Sequence, residues 1–172
     1  MKSFKILLAV LAVSISSVKA QFVKADLQVS GLTCSMCSKA TEKSLRTLTF
    51  ISDIKPDLNR NLFVITFKKD ASVNLDAISK KVQDAGFAVN KLLVSFNFDN
   101  LKINNDYHFN YAGNTYHFLN VKDETLNGLT PITVIDKGFV PASTYKKYAA
   151  QTTFACYKSG MMGNQKVYHV TI

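Results

Sequence analysis

Between residues 24 and 30 apolar side chains alternate with polar ones (Ala25, Leu27, Val29), a period of two that predicts a half-buried strand. A loop at 31–34 leads into a predicted helix over about 35–48. Residues 50–58 read as extended, and Pro56, which cannot donate to a strand ladder, places them at a sheet edge or a bulge. Asn59-Arg60-Asn61 marks a turn into the β-branched and aromatic run 62–67, so this pair reads as a hairpin. Asn74 can cap a second helix whose Leu75, Ile78, Val82 and Ala85 share one apolar face. Gly86 ends that helix, and residues 87–96 supply a fourth strand. The order is βαββαβ, the split β-α-β arrangement of a ferredoxin-like fold.

The remaining chain reads differently. Residues 107–111 alternate aromatic and polar, Ala112-Gly113-Asn114 turns, and 115–121 is extended again. An extended 131–136, a helix over about 142–150, and strands near 153–157 and 166–172 follow. Three strands, a helix and two strands match the order of a small OB-like barrel. The Asn- and Asp-rich stretch 98–105 reads as a linker. The expected fold class is therefore α+β, with a ferredoxin-like domain over 21–98 and a small β-rich, OB-like domain over 99–172.

The first twenty residues stand apart from this patterning. Lys2 and Lys5, an apolar run over 6–13 and the small-residue exit Val18-Lys19-Ala20 form the pattern of a secretory signal peptide. The apolar run is shorter than the roughly 18 residues that span a bilayer, so no membrane anchor is expected after cleavage. The expected location is periplasmic or secreted. The formal net charge is +9, and removing Lys2, Lys5 and Lys19 with the leader leaves +6. The remaining Lys residues are scattered and form no stripe, which argues against nucleic acid as a partner.

Three cysteines in an exported chain leave at least one thiol without an intramolecular partner, so a multi-disulfide scaffold is excluded. Cys34 and Cys37 lie three residues apart where the first strand gives way to the first helix. A helix N-terminus favours the thiolate, the form that binds metal. Soft thiolates select soft ions, Cu(I) foremost among physiological first-row metals, with Hg(II) equally soft. Structural Zn(II) wants four ligands, yet residues 21–107 hold no His and no third Cys. The same pair could close as a disulfide in an oxidising compartment. Met36, between the two cysteines, is expected to point outward.

The segment Gly31-Leu32-Thr33-Cys34-Ser35-Met36-Cys37 resembles the Gly-Met-Thr-Cys-x-x-Cys loop of the heavy-metal-associated domain, found in copper chaperones, metal-pumping ATPases and periplasmic mercury carriers. Ala85-Gly86-Phe87 is similar to that family's Gly-aromatic loop, and the resemblance covers about residues 24–96. Leu32 stands in place of the usual Met, a change of similar volume. Thr49-Phe50 stands where Gly-Val is common. The resemblance implies binding and hand-over of a soft ion at Cys34 and Cys37, with Thr33 setting the loop and Phe87 shielding it. It also implies a donor or acceptor protein as partner, and a metal-bridged homodimer is compatible with it. Catalysis is not expected. The alternatives are an interaction module that keeps the fold, and a thiol-disulfide oxidoreductase, which would normally carry Trp-Cys-Gly-Pro-Cys.

The second half holds all three histidines, and Cys156, Met161 and Met162 form a further cluster of soft donors. That cluster could ligate metal, against the simpler reading of Cys156 as a buried apolar residue in a strand. His108 and His117 flank the hairpin and are expected to face solvent or bond locally.

Overall fold

The computed structural model describes residues 21–32 and 34–172. The proposed leader and Thr33 lie outside the described residues. Strand β1 (Gln21–Ser30) buries Ala25, Leu27 and Val29, as the alternation over 24–30 predicts, and also Phe22, on the far side of a register shift against the fourth strand. Helix α1 (Ser35–Leu45) follows, then the hairpin of β2 (Ile51–Asp57) and β3 (Leu62–Phe67). Helix α2 (Leu75–Asp84) begins where Asn74 Oδ1 accepts the Ala77 amide at 3.0 Å and buries Leu75, Ile78 and Val82. It ends at Gly86, which adopts φ +87°, while the Phe87 amide returns to the Val82 carbonyl at 3.1 Å.

Strand β4 (Ala88–Ile103) closes the first unit, and the sheet runs β2-β3-β1-β4 with antiparallel neighbours throughout. This is the ferredoxin-like βαββαβ unit, and Pro56 sits on its edge strand. The helices pack on one face, where the Ser44 hydroxyl donates to the Lys81 carbonyl at 2.9 Å. Thr49-Phe50 is accommodated by burying Phe50, whose carbonyl accepts the Lys68 amide at 2.9 Å.

The expected linker at 98–105 is largely strand. β4 continues to Ile103 and pairs with β7 (Glu124–Val134) on both sides of a register shift between Phe98 and Leu101. Asn100, at φ +47°, sits in that bulge. The polar Asp99-Asn100 pair thus marks an irregularity inside one strand, while Phe98 and Ile103 stay buried. The boundary placed between 98 and 99 falls within β4.

Beyond it come β5 (His108–Tyr111), β6 (Asn114–Phe118), β7, α3 (Ala142–Ala149), α4 (Cys156–Ser159), β8 (Met161–Met162) and β9 (Gln165–Thr171). The full sheet order is β2-β3-β1-β4-β7-β9-β6-β5, with β8 paired to β9. Among the described residues no pairing joins β5 back to another strand of its half except β6, so the expected OB-like barrel is replaced by an open mixed sheet. Parallel pairing of β6 with β9 draws the C-terminal strand into the middle of that sheet. The strand expected over 153–157 is instead a coil and the one-turn helix α4, stopped by Gly160 at φ +67°. Rings meet where the halves adjoin: Phe22 lies 4.9 Å from Phe96 and 5.7 Å from Tyr116, and Phe96 lies 4.8 Å from Tyr111. One connected apolar core includes buried residues from both.

Candidate metal sites

The cysteine loop is built by the end of β1 and the start of α1. Gly31 turns the chain at φ +87°, and a Cβ there would stand 3.5 Å from Phe87 Cδ1, an ordinary contact. Half-buried Phe87 therefore packs under the loop and against the core at once. Leu32 also packs on the core, the role expected of the residue that replaces Met. Cys34 is the N-cap of α1: its Sγ accepts the Cys37 amide at 3.1 Å, and its carbonyl accepts the Ser38 amide at 3.2 Å. The first turn carries no acidic side chain to oppose a thiolate. Buried Thr41 donates its hydroxyl to the Cys37 carbonyl at 3.1 Å, pinning the turn from inside. Met36 is 72% exposed, pointing outward as expected. A cleft lined by Leu32, Cys34, Ser35, Asp57, Leu58 and Leu62 opens beside the loop.

Cys34 and Cys37 are joined in a disulfide. The free dithiol expected from the metal-binding reading is replaced here by its oxidised form. The N-cap geometry explains why this is accessible: it holds the two Cα atoms 5.3 Å apart, inside the span that a disulfide bridges. Cys34 remains exposed and Cys37 half-exposed, so the pair sits at the surface in either redox state.

In the second half, Met161 and Met162 are exposed on β8. Cys156, free and buried, meets His108 and His117, with one ligand atom from each lying within 4.8 Å of the others. The two histidines are direct cross-strand partners in the β5–β6 hairpin, and their rings stack with centroids 4.0 Å apart. Of the two expectations, facing solvent or bonding locally, half-buried His108 meets the second, with Nδ1 3.0 Å from the Asp106 carbonyl, while His117 is fully buried. The hairpin register would have shown this pairing. No local signal placed Cys156 beside it, because α4 arrives from 39 residues beyond His117.

Desolvation and the neighbouring charge on His108 push His117 down to about 4, against the raising effect of its bond to Asp106. Burial pushes the Cys156 thiol up. His169, also fully buried, gives Nδ1 to Asp136 at 2.6 Å and stands outside the group.

Residues 26–88 match the model of the heavy-metal-associated domain. A probable copper-transporting ATPase of Arabidopsis thaliana, HMA5, is 38% identical over 64 residues, which are 37% of this chain and 6% of that protein. The chain thus spans a small fraction of the length of that relative. Oxidised MerP from Ralstonia metallidurans CH34 is 26% identical over 42% of this chain and 97% of its own, with a TM-score of 0.35. The yeast copper transporter domain Ccc2a is 29% identical over 38% of this chain and 88% of its own, with a TM-score of 0.34. The segment that positions Cys34 and Cys37, residues 26–88, is a heavy-metal-associated domain.

Proposed function

We infer that the reduced Cys34 and Cys37 pair binds one Cu(I) and passes it to an acceptor protein, and that the chain does so outside the cytoplasm after loss of residues 1–20. The observation that carries this reading is a surface Cys-x-x-Cys pair on the N-cap of α1, where the Cys37 amide, which donates to Cys34 Sγ, and the helix dipole stabilise thiolate. Two soft sulfurs suit Cu(I), with Hg(II) satisfying the same preference. A copper-transporting ATPase among the relatives agrees with copper. Low coordination leaves the ion open to a thiolate of the acceptor, so the residues support carriage and hand-over rather than catalysis.

The disulfide must open first. A dithiol reductant supplies two electrons and two protons, the S–S bond breaks, and two thiols form. Each then loses its proton as the ion binds. The disulfide thus acts as the closed state of the site. It also favours a second reading, a thiol-disulfide exchange role, which reductase turnover by the wild-type chain would support.

The test is anaerobic Cu(I) titration of the reduced chain against a strong chelator, carried out in a Cys156→Ser background so that only the loop pair is read. One equivalent bound, and lost in Cys34→Ser, is the expected result. Failure of the reduced pair to compete with the chelator refutes copper carriage.

A further inference from the structure

The group at Cys156 poses a problem of hydrogen-bond accounting. His108 Nδ1 lies 3.0 Å from the Asp106 backbone carbonyl, which can only accept, so the proton sits on Nδ1 and the lone pair on Nε2. His117 Nε2 lies 3.0 Å from Asp106 Oδ1, so there the lone pair is on Nδ1. Both of these nitrogens have the same sulfur, Cys156 Sγ, as neighbour, at 3.8 Å from His108 Nε2 and 3.6 Å from His117 Nδ1. One S–H can satisfy only one of them, in a site where His117 is fully buried. A cation between the three atoms would satisfy all of them.

The two S···N distances fit such an ion. Bonds of about 2.3 Å to sulfur and about 2.0–2.1 Å to nitrogen give S···N edges of roughly 3.6 Å at tetrahedral angles and roughly 3.8 Å at trigonal ones. The surrounding residues fit as well. Asp106 fixes both imidazole tautomers, His108 through its backbone carbonyl and His117 through its carboxylate, the kinds of partner that orient metal-bound histidines. Asp106 is itself held in place: its amide donates to the Phe118 carbonyl at 2.9 Å, and Thr152 Oγ1 donates to its Oδ1 at 3.2 Å. Phe154 lies 5.3 Å from each histidine ring.

We propose that His108 Nε2, His117 Nδ1 and Cys156 Sγ form a metal site separate from the cysteine loop, taking one d¹⁰ ion, Zn(II) or Cu(I), as a thiolate–bis-imidazole complex. On binding, the Cys156 proton leaves to solvent and the two imidazoles stay neutral. Three ligands leave one tetrahedral position open for Zn(II) and complete a trigonal set for Cu(I).

The test uses the full chain carrying Cys34→Ser and Cys37→Ser, so that Cys156 is the only thiol and the loop site is silent. Zn(II) and Cu(I) are titrated separately under anaerobic conditions against competing chelators, and Co(II) serves as the spectroscopic probe. We expect one equivalent bound, a sulfur-to-cobalt charge-transfer band, and protection of Cys156 from iodoacetamide by Zn(II) or Cu(I). Cys156→Ser removes the band. His108→Ala, at a half-buried position, weakens binding at least about tenfold without moving the urea midpoint of the metal-free chain by more than about 1 M. Asp106→Asn keeps the stoichiometry but weakens binding by roughly 10–100-fold. The proposal is overturned if neither ion out-competes its chelator, if the band survives in Cys156→Ser, or if alkylation is unaffected by both ions. Which ion binds more tightly distinguishes a zinc site from a copper site.

Discussion

Phe96 tests whether the two halves of the sheet stand or fall together. It is 1% exposed on β4, and its ring packs at 4.9 Å on Phe22 of β1, 4.6 Å on Phe98, 5.9 Å on Phe109 and 4.8 Å on Tyr111. Phe96→Ala removes a whole ring from between strands that close against each other on both sides, so collapse of the site is restricted. The cost should fall at about 3–5 kcal/mol. At about 2–4 °C per kcal/mol for a chain of this size, the melting midpoint should drop by roughly 6–20 °C. The edge-to-face pair with Phe22 adds a coupling of about 0.5–1.5 kcal/mol, which a Phe22→Ala, Phe96→Ala double-mutant cycle isolates. The assay is urea unfolding of the reduced, metal-free chain. It is followed by far-UV circular dichroism and, independently, by pulsed alkylation of Cys156, which reports only on the second half. Coincident transitions that shift together are expected. A loss under 1 kcal/mol, or a Cys156 transition that stays put while the rest moves, would refute the shared core.

Two further predictions bear on the sites. In the metal-free chain, His117 titrates at about 4 when folded and near its ordinary 6.5 when unfolded, because burial and His108 outweigh Asp106. Between those values the unfolded chain holds the extra proton, so stability is complete above about pH 6.5 and is lost as the pH falls toward 4. The slope should reach at most about 1.4 kcal/mol per unit. His108, His169, Asp106 and Cys156 all face this ring, so His117→Gln should flatten the profile measured by urea midpoints, and an unchanged slope would count against the assignment. Gly31→Ala should destabilise the chain by roughly 1–2 kcal/mol, because φ +87° disfavours any Cβ while the contact with Phe87 is ordinary. A neutral result would show that the turn relaxes freely.

Much of the first half was legible because its signals are local. Alternation in β1, the Asn74 cap and the Gly86 stop each act within a few residues, and together they spell out βαββαβ. The Cys34–Cys37 spacing likewise placed the pair on a helix N-cap. The second half resisted because its decisive contacts are distant. Asp99-Asn100 looks like a linker to any local reading, and only pairing with β7 reveals a bulge. The strand expected at 153–157 failed because Gly160 stops a short helix that packs Cys156 inward.

The amino-acid sequence alone determined the ferredoxin-like unit and the position of its cysteine loop, since period, caps and turns act through neighbouring residues. Tertiary structure decided two things: that β4 carries one sheet across both halves, and that Cys156 meets His108 and His117. Each depends on which distant strands close together, and loop closure brings together atoms whose separation along the chain no local pattern encodes.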